Sequence, residues 1–151
     1  MTQLAKPEAV LAKWNGTQLP HRGSQLQLEK TKDEYWVTTI GTDGIKQGKQ
    51  RMTMTTGSHH LQVYWLGDKK GNLQHPFPYG WLIADQKWAP VEDTFLRDPE
   101  SAKPNAKWNT VCIDCHSVAG KPRIMASNKG QRTTKTEVAE LGISCEACHG
   151  P

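Results

Sequence analysis

The stretch Tyr35-Trp36-Val37-Thr38-Thr39-Ile40 is followed directly by Gly41-Thr42-Asp43-Gly44. The first six residues are β-branched or aromatic, which favours a strand, and the next four are typical of a turn. Similar runs lie on both sides of this stretch, at 26–28, 52–55, 61–66 and 80–84, with a polar hairpin loop at 67–72. This spacing predicts a small antiparallel β meander between about residues 24 and 90.

The sequence changes character on either side of the predicted meander. Residues 7–14 predict a short helix, because Pro7 suits a first helical turn and Asn15-Gly16 suits a stop. Of the 54 residues from Asp98 to Pro151, only seven are Leu, Ile, Val or Phe, which is too few for an unaided core. We therefore expect a mainly β domain with an N-terminal helix at 1–97, and a second segment at 98–151.

All four cysteines fall in two Cys-x-x-Cys-His motifs, at 112–116 and 145–149. On a helical turn, positions i, i+3 and i+4 share one face, so both thiols and the imidazole of a motif can meet the same ring. This is the attachment pattern of c-type haem, in which the thiols bond to the vinyl groups and the histidine binds the iron. We predict two covalent haems, with His116 and His149 as proximal iron ligands and six cofactor-binding residues: Cys112, Cys115, His116, Cys145, Cys148 and His149.

Two other uses of the cysteines are less consistent with the sequence. A structural zinc site would need its two cysteine pairs closer together, since 29 residues separate Cys115 from Cys145 and zinc ribbons commonly place about 15 to 20 residues there. Two disulfides would use all four thiols. Both alternatives leave unexplained why a histidine follows each pair.

Two porphyrins would also supply the apolar interior that residues 98–151 lack. We expect short helices at 105–117 and 134–149, each ending on a motif, and Trp108 packed against a ring because it stands four residues before Cys112. The predicted fold class is therefore α+β: a small antiparallel β meander followed by a loop-rich segment with short helices organised around two covalent haems.

Four histidines outside the motifs are candidate distal ligands of the irons: His21, His59, His60 and His75. On an extended strand, His59 would share a face with apolar residues of 61–65, so His59 is the first candidate and His60 the second. A surface histidine pair without metal is the alternative. His75 is a further candidate and His21 a weaker one. Methionine sulfur is another option, although core packing is favoured for Met52, Met54 and Met125.

Composition excludes several classes of protein. The chain has 19 basic and 15 acidic residues, a net charge of +4, which is too small and dispersed an excess to indicate nucleic-acid binding. No stretch has the length of a transmembrane helix, and the first residues have no apolar signal region. Because covalent haem attachment takes place outside the cytoplasmic membrane, we expect an exported, periplasmic or extracellular protein. Its signal peptide is not in this chain, which we expect to be a piece of a longer protein.

Three stretches resemble a known family: Trp108–Ser117 (WNTVCIDCHS), Thr136–Pro151 (TEVAELGISCEACHGP) and Gly57–Trp65 (GSHHLQVYW). They are similar to segments of bacterial multihaem c-type cytochromes of the cytochrome c554-like group, some of which carry tetratricopeptide repeats. The resemblance implies periplasmic or extracellular electron transfer, with haems in closely spaced pairs and two histidines on each iron. This chain departs from that family by having only two motifs.

The expected function is electron transfer by an electron carrier rather than an enzyme, with other redox proteins or further haem domains as partners. Two alternatives stay open. A haem-based oxidoreductase acting on a small nitrogen or sulfur compound would need an open iron site. A subunit of a polymeric extracellular cytochrome would receive missing ligands through self-association. No nucleic acid and no integral membrane segment are expected.

Overall fold

A computed structural model describes residues 1–69, 72–94, 107–126, 132–145 and 149. In these ranges the strands are β1 (Thr2–Leu4), β2 (Gln18–His21), β3 (Ser24–Thr31), β4 (Glu34–Ile40), β5 (Lys46–Thr56), β6 (Leu61–Gly67), β7 (Gln74–Leu82), β8 (Lys87–Pro90), β9 (Ser117–Val118), β10 (Ile124–Ala126), β11 (Arg132–Thr134) and β12 (Glu140–Leu141). The helical segments are α1 (Val91–Thr94), a π-helical turn (Trp108–Cys112) and α2 (Ile113–His116). None of these helices is long and apolar enough to cross a membrane.

Eight strands form one antiparallel sheet. Strands β2 to β8 lie side by side in chain order, and β1 pairs with the second half of the long strand β5. Short connections permit this order, because antiparallel neighbours need only a few residues to join them. The sheet curls into a half-barrel. The hydroxyl of Tyr79 on β7 donates a hydrogen bond to the carbonyl of Pro20 on β2, which holds two distant strands of the curl together.

The larger of two apolar cores is enclosed by the curled sheet. Trp14 lies at its centre, and the ring centroids of four aromatic residues from four different strands lie 5.2–5.7 Å from that of its indole: Tyr35, Tyr64, Phe77 and Trp88. Each aromatic pair of this kind adds about 0.5–1.5 kcal/mol to the effect of burial alone. The core therefore depends on a residue that precedes most of the sheet in the chain.

The predicted helix at 7–14 is wrong. A single turn forms, in which the N–H groups of Ala9 and Val10 donate to the carbonyl of Lys6 at 2.9 and 3.2 Å. The chain then binds the side chain of Gln62, which accepts from the N–H of Leu11 at 2.9 Å and donates to the carbonyl of Ala9 at 2.8 Å. Because Gln62 satisfies these backbone groups, the segment stays irregular while it brings Trp14 into the core.

A β-bulge in β5 divides two nearby methionines between the cores. Met52 and Met54 would face the same side of a regular strand. The register towards β6 shifts between them, so that Met52 lies opposite Leu66 and Met54 lies opposite Trp65. Since a shift of one residue exchanges the two faces of a sheet, Met52 packs in the larger core, whereas Met54 packs on the other face against the helical segment 108–116.

The predicted α+β class is wrong, because strands make up 51% of the structure and helices only 10%. Of the two short helices expected after residue 98, the first is present as Trp108–His116, and residues 105 and 106 lie outside the described ranges. The second helix, expected at 134–149, is wrong over its first part, where β11 and β12 form instead and pair with β10 and β9. Pairing with an earlier strand satisfies the backbone of this segment without a helix.

Candidate haem-binding site

The first motif lies on a continuous helical segment. The π-helical turn ends at Cys112, and α2 carries Cys115 and His116. Their spacing of three and four residues places the three side chains on one face of the segment, as the sequence predicts. Cys115 is exposed, and Cys112 and His116 are half-buried. The motif therefore has an accessible side and a side that rests on the protein.

The buried side of the first motif packs on the outer face of the sheet. Trp108 and Ile113 are 2% and 0% exposed and pack against Met54 and Trp65, with Cys112 beside them. The expectation that Trp108 packs against a haem ring is therefore wrong, since its own surface is already covered by protein. Burying two large apolar side chains contributes about 1.5–3 kcal/mol for each of them. This contact fixes the motif on the half-barrel.

Partial burial also shifts the pKa values of Cys112 and His116 in the first motif. Burial, and then the neighbouring Cys115, raise the pKa of the Cys112 thiol. Burial lowers the pKa of His116. The imidazole is therefore neutral near pH 7, and the neutral form is the one whose ring nitrogen can bind iron.

The structure describes two residues of the second motif, Cys145 and His149. The N–H of His149 donates to the carbonyl of Cys145 at 3.0 Å, which is a helical i to i+4 hydrogen bond across the motif. Both residues are exposed. The predicted ligand Cys148 lies outside the described residues, together with 146 and 147. The described part shows the helical spacing that haem attachment requires.

A short two-stranded sheet joins the motifs. Strand β9 begins directly after His116 and pairs with β12, which ends directly before Gly142. The N–H of Gly142 donates to the carbonyl of His116 at 2.9 Å, and its φ of +87° is a conformation that favours glycine. Cys145 follows three residues later, so at most about 10 Å of extended chain separates it from this contact. The fold thus brings the end of the first motif to the start of the second.

The hairpin Gly57–His60 belongs to the same edge of the molecule as His116. The N–H of Gly57 donates to the carbonyl of Met1 at 3.1 Å. Met1 in turn lies against Gly142, since a methyl group added to Gly142 would be 3.4 Å from the Cβ of Met1. Because Gly142 also binds His116, two residues connect the hairpin to the end of the first motif.

The predicted placement of His59 on a strand face is wrong. Strand β6 begins at Leu61, and His59 and His60 both lie in the turn that precedes it. Both imidazoles are exposed, and Nδ1 of His59 is 3.2 Å from the hydroxyl of Ser58. They are therefore accessible to a ligand on the surface rather than enclosed by the sheet.

His75 and His21 lie elsewhere. Nδ1 of His75 on β7 is 2.6 Å from Nζ of Lys107, the residue before Trp108, at the opposite end of the helical segment from His116. Burial, and then the charge of Lys107, lower the pKa of His75. His21 and His75 both line a cavity of about 290 Å³, together with residues of β3 to β7. His75 therefore contacts the helical segment at its start, at Lys107.

The three methionines considered as axial ligands differ in their burial. Met52 and Met54 are 1% and 6% exposed and belong to the two cores, so the preference for core packing is confirmed for both. Met125, on β10, is 42% exposed, and core packing is wrong for it.

Residues 84–150 match the family model of cytochrome c554 and c-prime. The match supports the assignment of this segment to a c-type cytochrome family. The matched residues include both motifs, and a cytochrome of this kind carries covalently bound haem and transfers electrons through it. Cytochromes c are typically exported to the periplasm. Searches of curated proteins and of solved structures found no match.

The surface around the motifs fits a cytochrome c. Exposed large apolar side chains lie throughout the segment that carries both motifs: Val111, Ile124, Met125 and Ile143. Val111 stands beside Cys112, and Ile143 stands two residues before Cys145. A large apolar ring held by these cysteines would remove such side chains from water. Covalent haem attachment needs accessible thiols, a neutral imidazole and apolar side chains around the ring.

Three polar residues of the site carry no signal in the sequence. Asn72 lies in the loop before β7, Asn109 lies in the π-helical turn, and Thr136 follows β11. Single amide and hydroxyl residues outside a motif have no distinctive spacing. The structure alone shows that they bind one another.

Proposed function

We propose that this chain is an electron-transfer cytochrome that binds two haems, one on each Cys-x-x-Cys-His motif. The observation that carries the proposal is the hydrogen bond of 2.9 Å between Gly142 and His116. It places the end of the first motif beside the segment that leads into Cys145. Two motifs held at a short fixed separation suit electron exchange between their cofactors.

The roles of the motif residues follow from their chemistry. Cys112 and Cys115 would hold the first haem through thioether bonds, and Cys145 and Cys148 the second. His116 and His149 would supply the proximal imidazole nitrogens. Bound haem supplies a one-electron iron couple whose potential depends on ligands, burial and hydrogen bonds.

The half-barrel would act as a rigid support. Trp108 and Ile113 fix the helical segment on the sheet, so the imidazole of His116 would keep its position when the iron that it binds changes oxidation state. Small rearrangement during oxidation and reduction favours electron transfer. The protein's contribution is therefore to hold and orient the ligands.

We further propose that the hairpin Gly57–His60 supplies the distal ligand at the first motif, through His59 or His60. The support is its connection to His116 through Met1 and Gly142. His75 is a weaker candidate, because it contacts Lys107 at the other end of the helical segment from His116.

The cellular location and the partners of the protein are inferred from the same chemistry. An exported cytochrome with two haems would work in the periplasm or outside the cell, and its partners would be other redox proteins or further haem domains. Self-association would be an additional route between haems of separate chains. The proposal includes no nucleic acid and no integral membrane segment.

Intact mass and pyridine haemochrome spectra of protein matured in a bacterial periplasm test the proposal. We expect two covalent haems on the wild-type chain and one on each of two double variants, Cys112→Ala with Cys115→Ala, and Cys145→Ala with Cys148→Ala. The wild-type spectrum should change reversibly on reduction and reoxidation. A chain that gains no tetrapyrrole mass, or whose four thiols bind zinc, would refute the proposal.

A further inference from the structure

The side chain of Asn72 binds the segment between the motifs as a backbone peptide would. Its amide nitrogen donates to the carbonyl of Thr136 at 2.8 Å, and its amide oxygen accepts from the N–H of Thr136 at 3.0 Å. The same oxygen accepts from the hydroxyl of Thr134 at 2.7 Å. One side chain in a loop of the half-barrel thus fixes the residues that follow β11.

Asn109 makes the corresponding contacts from the first motif's own helical segment. Its amide oxygen accepts from the N–H of Gln74 at 2.7 Å. Its amide nitrogen donates to the carbonyl of Asn72 at 2.9 Å and to the hydroxyl of Thr136 at 2.8 Å. Asn109 is only 1% exposed, so water cannot easily replace any of these partners.

Thr136 connects the two asparagines. Its hydroxyl accepts from Asn109 and donates to the carbonyl of Pro122 at 2.8 Å. Three parts of the chain therefore meet in one network: the loop before β7, the helical segment of the first motif, and the segment that runs to the second motif. The hydrogen bond between Asn109 and the N–H of Gln74 is buried, so that N–H would lose its partner without Asn109, at a cost of about 1–3 kcal/mol. The contacts of Asn72 with the backbone of Thr136 are exposed, so their loss would affect the placement of the segment more than the stability of the fold.

We propose that Asn72, Asn109 and Thr136 are positioning residues that set the placement of the first haem motif relative to the segment leading to the second. The inference rests on the proposed binding of two haems. Asn109 stands three residues before Cys112, and Thr136 stands nine before Cys145. The network and the contact between Gly142 and His116 are two separate restraints on the same spacing. Loss of the network therefore changes the separation or orientation of the two cofactors while each motif keeps its own ligands.

The test compares Asn72→Ala with Asn15→Ala in the holoprotein. Asn15 is a matched control, because its amide oxygen accepts a single exposed hydrogen bond from Lys30 at 3.5 Å, far from the motifs. We expect both variants to keep two haems by intact mass. We expect Asn72→Ala alone to shift at least one reduction potential and to alter the electron paramagnetic resonance coupling between the irons. Potentials and coupling equal to those of wild type would overturn the inference.

A second pair of variants covers the case in which Asn72→Ala does not fold. Thr136→Val removes the hydroxyl and keeps the shape of the side chain, whereas Thr136→Ser keeps the hydroxyl. The serine variant should retain the wild-type potentials and coupling, and the valine variant should change them and exchange amide hydrogens at 107–116 about tenfold faster. Equal potentials in both variants would contradict the inference. Absence of haem from the wild-type chain would instead refute the proposed function.

Discussion

The indole N–H of Trp108 donates a hydrogen bond of 3.2 Å to the hydroxyl of Thr2, 106 positions earlier in the chain. The hydroxyl of Thr2 is also 2.8 Å from that of Thr56, which accepts from the indole N–H of Trp65 at 2.9 Å. The first strand, the long strand β5 and the first motif thus share one buried chain of polar groups. The half-barrel holds the motif by directed bonds as well as by apolar contact.

The first prediction concerns this buried chain. Trp108→Phe removes the N–H donor and retains an aromatic ring, so we expect the free energy of unfolding to fall by about 1–3 kcal/mol, from the lost hydrogen bond and the smaller ring. Trp36→Phe is the control, because Trp36 is half-buried and its N–H reaches the partly exposed carboxylate of Glu34 at 3.3 Å. Chemical denaturation measures both. If both variants lost the same free energy of unfolding, the hydrogen bond between Trp108 and Thr2 would have no special role in stability.

The second prediction concerns the distal ligand at the first motif. If His59 or His60 binds that iron, the variant His59→Ala or His60→Ala should convert about half of the low-spin absorption of the oxidised protein to high spin. His75→Ala should leave it unchanged, because His75 lies at the other end of the helical segment. Absorption and electron paramagnetic resonance spectra measure the change. Unchanged spectra in both hairpin variants would discard the assignment.

The third prediction concerns Gln62, which is 2% exposed. Its side chain also accepts from the hydroxyl of Tyr64 at 2.8 Å. Gln62→Leu removes the acceptor of that hydroxyl and the side-chain partners of the Leu11 N–H and the Ala9 carbonyl, so we expect a loss of about 2–4 kcal/mol in the free energy of unfolding. Gln25→Leu, at an exposed position on β3, should change it little. A denaturation midpoint for Gln62→Leu within error of wild type would exclude this function of the side chain.

The fourth prediction concerns pH. Because burial and Lys107 lower the pKa of His75 from its ordinary 6.5, the unfolded chain binds a proton more readily than the folded chain below about pH 6.5. The free energy of unfolding therefore falls as pH is lowered through this window and is recovered above it. His75→Gln should lose less stability than the wild-type chain between about pH 7.5 and pH 5.5. The opposite order would show that His75 gains a proton on folding.

Local patterns predicted the parts of the site that local geometry controls. Cys112, Cys115 and His116 share a helical face because their spacing requires nothing beyond one turn. The strand at 35–40 follows from β-branched and aromatic residues beside a turn. The low apolar content after residue 98 did not predict that Trp108 and Ile113 would pack against Met54 and Trp65 of the sheet.

Other features depend on contacts between residues far apart in the chain. The sequence of β5 gives no sign that a bulge sends Met52 and Met54 to opposite faces, since alternation alone places them together. The segment 7–14 has helical character, yet Gln62 binds its backbone and prevents the helix. Asn72 and Asn109 are ordinary polar residues until the fold places them side by side.

From the sequence alone one could name the side chains able to bond to haem and predict that Cys112, Cys115 and His116 share one helical turn, because covalent spacing and helix geometry act over five residues. The position of the first motif on the half-barrel could be learned only from the folded chain. It depends on the burial of Trp108 and Ile113 on the sheet and on hydrogen bonds between distant segments, and these contribute energy only once folding has brought the partners together.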